Sequence, residues 1–129
     1  MKRQINVLIL CSLIAACSKD IEIPPGVYQN LNVEITTENT NEKKKYTLEA
    51  NTTEHALIEK WISNNKGGWS VSHASYVPSV VVSGDDFHLN ILDTLVVLAY
   101  QGNQYTRAIH ERDYKYLTKA LVANKSLQR

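Results

Sequence analysis

The stretch LVVLAYQGNQ, residues 95–104, contains the clearest structural signal in the chain. Its first six residues, Leu95 to Tyr100, are all apolar or aromatic, which is typical of a central strand buried on both faces. The following residues 101–104, Gln-Gly-Asn-Gln, are typical of a tight hairpin turn, because glycine accepts positive φ angles. Tyr105 to Ile109 would then pair back as the next strand. The stretch therefore predicts the centre of an antiparallel sheet.

Further strands are indicated on the N-terminal side of this hairpin by apolar residues that alternate with polar ones or form short runs. These segments lie at residues 31–35, 46–50, 69–73, 80–82 and 87–91. The first two predict a hairpin, and residues 36–45 between them read as a long polar loop that contains three consecutive lysines. Residues 83–86, Ser-Gly-Asp-Asp, give a turn signal between two of the later strands.

Two other segments have the 3.6-residue periodicity of helices. A capping signal at residues 51–54 starts the first, which we expect at about 53–65, and the second is expected at about 111–123. Their apolar stripes contain Leu57, Ile58, Trp61 and Ile62 in the first, and Tyr114, Leu117 and Leu121 in the second. Tight turns join the later strands, so we predict an α+β fold, a mostly antiparallel β-sheet with the two helices packed on it.

The first sixteen residues have the pattern of a secretory signal peptide. Lys2 and Arg3 supply a positive start, and residues 5–16 form an apolar run that ends in small residues. This run is too short to span a bilayer, which needs roughly 20 apolar residues. A buried core helix would not begin directly behind two cations. We therefore expect the segment to direct export and to be removed.

Residues 13–17, Leu-Ile-Ala-Ala-Cys, resemble the lipobox of bacterial lipoproteins. In that family a small residue precedes a cysteine that is acylated on sulfur, and cleavage takes place just before the cysteine. The resemblance implies that Ala16 is the last residue removed and that Cys17 carries the lipid. Cys11 is a poorer match because a bulky leucine precedes it. Ser18, in place of an aspartate, implies the outer membrane, facing the periplasm, for a Gram-negative host.

This processing defines the expected domain organisation and changes the charge. We expect a cleaved signal peptide at 1–16, a lipidated cysteine and short tether at 17–26, one α+β domain at 27–124 and a frayed tail at 125–129. The remaining 113 residues contain 12 basic and 13 acidic side chains, so the net charge becomes −1 in place of +1. Such a balance argues against nucleic-acid binding, which usually needs a basic surface.

The sequence contains no motif of a known catalytic or cofactor chemistry. A Gly-x-Ser-x-Gly elbow, a phosphate loop and a dinucleotide fingerprint are all missing, and the four histidines lack the spacing of a zinc site. Asp85 and Asp86 could contribute to a cation site, but beside Gly84 a turn accounts for both. We therefore expect no enzymatic activity, no metal and no cofactor.

Aromatic residues with a polar group outnumber phenylalanine, with seven Tyr and two Trp against one Phe. Tyr and Trp are enriched at protein interfaces because they combine a large contact area with a hydrogen-bonding group. Strand propensity alone also enriches them, so packing within the domain is the alternative interpretation. The candidate partner-binding residues near predicted strand ends and turns are Trp69, Tyr76, Asp85, Asp86 and Tyr105.

A lipid anchor, one small domain and no catalytic set together favour a binding protein over an enzyme. This profile resembles that of bacterial immunity lipoproteins, which neutralise toxins that act in the envelope, and that of small periplasmic enzyme inhibitors. The alternative function is a structural or assembly accessory of an envelope secretion or transport complex. Both functions imply the same two partners, the lipid membrane through acylated Cys17 and a protein.

Replacing the cysteine of the lipobox tests the assignment. Cys17→Ala should prevent acylation and leave the uncleaved precursor, because both steps depend on that cysteine. Mass spectrometry of the membrane fraction measures the lipid and the N-terminal segment together. Cys11→Ala is the matched control and should be processed normally. Lipid-modified Cys17→Ala protein would contradict the assignment.

Overall fold

The computed structural model describes residues 18–24, 28–37 and 42–123. In chain order, its elements are β1 (Leu31–Thr36), β2 (Lys43–Leu48), α1 (Thr53–Asn64), β3 (Ser70–Val71), β4 (Val80–Ser83), β5 (Phe87–Ile91), β6 (Leu95–Tyr100), β7 (Asn103–Ala108) and α2 (Glu111–Val122). All paired strands are antiparallel, and their order across the sheet is β2-β1-β4-β5-β6-β7-β3. The predicted α+β class, a mostly antiparallel sheet with two helices, is confirmed.

The hairpin of β6 and β7 forms around the residues that the sequence indicates. Tyr100 pairs with Asn103, and the two residues between them, Gln101 and Gly102, have φ angles of 50° and 78°. Two successive positive φ angles are the pattern of a type I′ turn, whose twist matches that of the flanking strands. At the centre of β6, three successive residues are no more than 5% exposed: Val96, Val97 and Leu98. The strand is therefore buried on both faces at its centre.

Along the other strands, buried and exposed side chains alternate, so that one face of the sheet packs against the core. Residues that pair directly across an antiparallel sheet lie on the same face, so the register aligns the buried positions in rows. The core row runs over six strands and contains Tyr46, Val33, Val82, Leu89, Leu98 and Tyr105. The helices contribute Ile58, Ile62, Leu117 and Leu121 to the same cluster. Full burial of each such aliphatic side chain stabilises the fold by about 1.5–3 kcal/mol.

The helices begin and end within a residue or so of their predicted bounds. The hydroxyl of Thr52 accepts a hydrogen bond from the backbone N–H of His55 at 3.3 Å, which caps α1. Beyond its C-terminal end, Gly68 has a φ of 81°, a conformation that glycine adopts without strain. The predicted frayed tail, 125–129, lies outside the described residues.

Residues 18–24 do not form the free tether that the sequence interpretation assigned to them. Lys19 and Trp69 form an antiparallel β-bridge, in which the Lys19 N–H donates to the Trp69 carbonyl at 2.7 Å and the Trp69 N–H donates back at 3.3 Å. The Ile21 N–H donates to the carbonyl of Lys66 at 2.7 Å. The folded domain therefore includes Lys19 and does not begin at residue 27.

Residues 18–24 pack on the domain because apolar and polar side chains alternate at positions 21–23, a strand pattern that is easily missed beside the neighbouring prolines. Ile21 and Ile23 are each 7% exposed and belong to the core, while Glu22 between them is exposed. Two isoleucines at i and i+2 present one apolar face in an extended chain, and burying that face outweighs the entropy of a free segment. Pro25 and the two residues after it lie outside the described residues.

The three consecutive lysines also lie elsewhere than predicted. They belong to β2 and not to a loop at 36–45, of which residues 38–41 fall outside the described residues. The Nζ atoms of Lys43 and Lys45 lie 3.4 and 3.6 Å from carboxylate oxygens of Glu34 on β1. Because β2 is at an edge of the sheet, its lysines disfavour pairing with a strand of another molecule.

Truncating a buried isoleucine tests whether the N-terminal segment belongs to the domain. Ile21→Ala should lower the free energy of unfolding by about 2 kcal/mol or more, because it removes core packing. Glu22→Ala is the matched control, since its side chain is exposed and loses only a surface ion pair with Lys66, and should change stability by less than about 0.5 kcal/mol. Urea denaturation measures both. Equal midpoints for the two variants would indicate a free tether.

A buried tyrosine gives the domain a predicted alkaline instability. The Tyr46 hydroxyl donates to the Leu121 carbonyl at 2.6 Å, and burial raises the pKa of Tyr46, with a further contribution from Glu54. As the pH rises, the Tyr46 hydroxyl therefore ionises first in the unfolded chain, at a pKa of about 10. The free energy of unfolding keeps its full value below that pH and decreases above it.

Removing this hydroxyl should reduce the alkaline effect. Tyr46→Phe should lower the free energy of unfolding at pH 7 by about 1 kcal/mol through the lost hydrogen bond. Above about pH 10, the free energy of unfolding of this variant should decrease less steeply than that of the wild type. Tyr116→Phe is the control, because Tyr116 is 62% exposed. Urea denaturation between neutral and alkaline pH measures both effects. An unchanged alkaline slope in Tyr46→Phe would contradict the prediction.

Candidate partner-binding surface

The face of the sheet opposite the helices carries a row of polar and small side chains. This polar row runs across six strands and contains Thr47, Asn32, Ser83, His88, Ala99 and Gln104. All six residues are exposed or half-buried. Each lies one position along its strand from a residue of the core row, so the same register that builds the core also aligns these groups.

Part of this face is covered by residues 72–79, the crossover segment that joins β3 at one edge to β4 in the middle of the sheet. The side chain of Gln104 donates to the carbonyls of Ser72 and Ala74 at 3.3 and 2.7 Å. Asn90 donates to the Val77 carbonyl at 3.3 Å and accepts from the Ser79 N–H at 3.2 Å. The segment therefore crosses the sheet over its helix-free face.

The crossover segment explains two further observations on this face. Val97 is 5% exposed although it lies outside the core cluster. It pairs with Asn90, whose side chain binds the segment at Val77 and Ser79, so we attribute its burial to this cover. Backbone that crosses the face cannot also extend β3, so that strand ends at Val71 and does not continue to His73 as the alternation predicts. Tyr76 is half-buried within the segment, and its hydroxyl lies 2.9 Å from the hydroxyl of Ser72.

Where the crossover segment leaves the face open, two hairpin turns frame a hollow of about 370 Å³. One turn joins β4 to β5 and contains Asp85 and Asp86; the other joins β6 to β7 and contains Gln101 and Gly102. They lie together because Phe87, after the first turn, pairs with Tyr100, before the second. We call this the twin-turn hollow. Its lining includes Asp85, Asp86, His88, Gln101, Asn103 and Gln104.

The twin-turn hollow carries negative charge from two carboxylates, and its amide side chains can both donate and accept hydrogen bonds. Asp85 and Asp86 are both exposed, and among the described residues neither has an ion-pair partner within 4.0 Å. Of the residues that the structure describes, no lysine or arginine lines it. His88 Nδ1 lies 2.9 Å from the Ser83 hydroxyl, which orients the imidazole at one wall. The hollow therefore suits a cationic group with several hydrogen-bond donors.

Two of the predicted partner-binding residues lie in the core and are not available to a partner. Trp69 is 1% exposed; its ring packs edge to face against Trp61 with centroids 6.2 Å apart, and its indole N–H donates to the Asn65 carbonyl at 2.7 Å. Tyr105 is 9% exposed and belongs to the core row. For these two aromatics, packing within the domain is the correct interpretation.

The structure brings Asp85 and Asp86 together with residues that sequence reasoning did not select. Gln101, Asn103 and Gln104 share the twin-turn hollow with the two aspartates. The signal for them was present, because turns in a run of antiparallel strands lie at the same end of the sheet when two strands separate them, here β5 and β6. Tyr76 does not line this hollow and lies instead on the crossover segment.

A wider cleft of about 750 Å³ lies between α2 and the ends of β1 and β4. Its walls include Thr36, Ser79, Tyr114 and Lys119, and Val122 at its border is 54% exposed. None of the residues predicted to bind a partner lies in this cleft. The walls of this cleft come from α2 as well as the sheet. The twin-turn hollow, in contrast, is built by two short turns and the strands that they join.

Neither a metal cluster nor a membrane-spanning helix is found in the described part of the chain. Among residues 18–24, 28–37 and 42–123, no three His, Cys, Asp or Glu side chains are grouped so that they could hold a metal ion. Within the same ranges, no helix is long and apolar enough to cross a bilayer.

Comparisons with protein-family models, with curated proteins and with solved structures found no match to this chain.

Proposed function

We propose that this protein is a lipid-anchored lipoprotein of the bacterial envelope that binds a protein partner. The specific form that we favour is an immunity or inhibitor protein against an envelope-acting toxin or enzyme. The observation that carries the anchoring is the lipobox at residues 13–17, placed directly behind an apolar signal segment. Acylation of Cys17 would attach the protein to the membrane, since each buried CH₂ of an acyl chain contributes about 0.8 kcal/mol.

The twin-turn hollow supports a partner-binding function over a catalytic one. It presents two exposed carboxylates on short turns, whose backbones are held by the strands on either side. A rigid, acidic recess is complementary to a basic side chain of a partner, and arginine fits best because its guanidinium binds carboxylates in a bidentate manner. We therefore place the partner's basic contact at Asp85 and Asp86.

Crosslinking in the native envelope, followed by identification of the captured protein, tests this proposal. The double variant Asp85→Asn, Asp86→Asn keeps the size of both side chains and removes their charge. We expect it to capture about tenfold less partner than the wild type, the loss expected when a close charge pair is removed.

Asp93→Asn is the matched control, because Asp93 is also an exposed aspartate in a short turn between two strands of the sheet, at the other end of β5. It should capture as much partner as the wild type. Equal losses in both variants, or no stoichiometric protein partner at all, would contradict the proposal. Capture of a toxin or enzyme supports the immunity or inhibitor form, whereas a stable complex with secretion or transport components supports the accessory function.

A further inference from the structure

We propose that the β3 edge of the sheet is the surface that faces the membrane and that the β2 edge points away from it. The inference concerns orientation and rests on the lipid anchor of the proposed function. It begins from the β-bridge between Lys19 and Trp69, which fastens the N-terminal segment to the β3 edge immediately after the proposed lipidation site.

The covalent chain leaves little freedom between the lipid and this bridge. Cys17 precedes Lys19 by two residues, and two residues span at most about 7 Å. Lys19 is held by two backbone hydrogen bonds to Trp69, whose side chain is in the core. The glycerol and acyl groups of the lipid would therefore begin within a short distance of the β3 edge.

The segment that follows the bridge makes further contacts with the domain, so the domain cannot rotate freely about the bridge. Ile21 is bonded to the Lys66 carbonyl, and the Lys66 ammonium lies 3.2 Å from the carboxylate of Glu22. Farther along, the Tyr28 carbonyl accepts a hydrogen bond from His55 Nε2 at the start of α1. These contacts bind the segment to both ends of α1. The position of the anchor therefore fixes the orientation of the whole domain.

The strand order places the lysines of β2 at the far edge of the sheet. Six inter-strand spacings separate β3 from β2, which at about 4.8 Å each amounts to about 29 Å. Screening at physiological ionic strength reduces charge interactions beyond about 8 Å. With the sheet edge-on, Lys43, Lys44 and Lys45 therefore lie too far from the bilayer to be attracted to anionic headgroups.

The alternative orientation, with the helix-free face lying flat on the bilayer, is disfavoured by charge. That orientation would bring the exposed carboxylates of Asp85 and Asp86 against an anionic lipid surface, which repels them. Lys43 and Lys45 share this face, but both are already paired with Glu34. Near the bridge, the β3 edge carries three cations and two carboxylates: Lys19, Lys66 and Arg107 with Asp20 and Glu22. The Arg107 Nε donates to the Gly67 carbonyl at 2.7 Å. An edge-on orientation keeps the twin-turn hollow accessible to a protein partner.

Fluorescence quenching on vesicles tests the orientation. Single cysteines are introduced in the full-length, lipidated protein at Val71 on β3, which is 42% exposed, or at Lys44 on β2, and each is labelled with a fluorophore. The acylated Cys17 does not react with the label. The vesicles contain phosphatidylcholine and phosphatidylglycerol with a headgroup spin label as the quencher. We expect quenching at Val71→Cys to be several-fold greater than at Lys44→Cys.

Two variants of Lys19 show whether the bridge causes the difference. Lys19→Pro removes the N–H that donates to Trp69 and should reduce the difference between the two labels, with the lipid still attached. Lys19→Ala removes one charge but keeps both backbone bonds, and should therefore retain most of the difference. Circular dichroism of each variant confirms that the domain is folded.

The outcomes separate the orientation from the anchor. Equal quenching at both positions of a protein that mass spectrometry shows to be lipidated would overturn the orientation and leave the lipoprotein proposal intact. Greater quenching at Lys44→Cys would overturn it as well. Absence of lipid on Cys17 would instead refute the anchor, and with it the orientation that rests on it.

Discussion

The register of the antiparallel sheet is the constraint on which both the core and the candidate site depend. A slip of one residue in β5 would exchange Leu89 of the core row for His88 of the polar row, and the buried set of the strand would face solvent. Two short turns help to hold this register, Asp85–Asp86 and Gln101–Gly102. The same turns frame the twin-turn hollow. The elements that stabilise the fold therefore also build the surface that we assign to a partner.

Much of the fold could be predicted because hydrophobic periodicity is a local property. The run from Leu95 to Tyr100, the glycine at 102 and the stripe around Ile58 each carry their own signal, and each forms the element expected of it. The positions of Asp85 and Asp86 in a turn follow in the same way. What periodicity does not supply is the strand order, which places β4 between β1 and β5 and sends the crossover segment over the open face.

The failures of sequence reasoning concern residues whose environment comes from distant parts of the chain. Trp69 has the composition of an interface residue, yet its indole ring is buried against Trp61 and its N–H is satisfied by Asn65. Residues 18–24 read as a tether because of the prolines that follow, whereas their partners lie at Lys66 and Trp69. In each case burial depends on pairing across the chain, which local propensity does not encode.

The docked N-terminal segment also has a consequence for the order in which the protein acquires its structure. In the export that we propose, Lys19 would emerge early, Trp69 would follow fifty residues later, and β7, which holds β3 in the sheet, would follow later still. The segment would therefore pass through a period in which its two isoleucines have no core to pack against. Attachment of lipid to the adjacent cysteine during that period would precede folding, and the domain would complete itself already tethered to the bilayer.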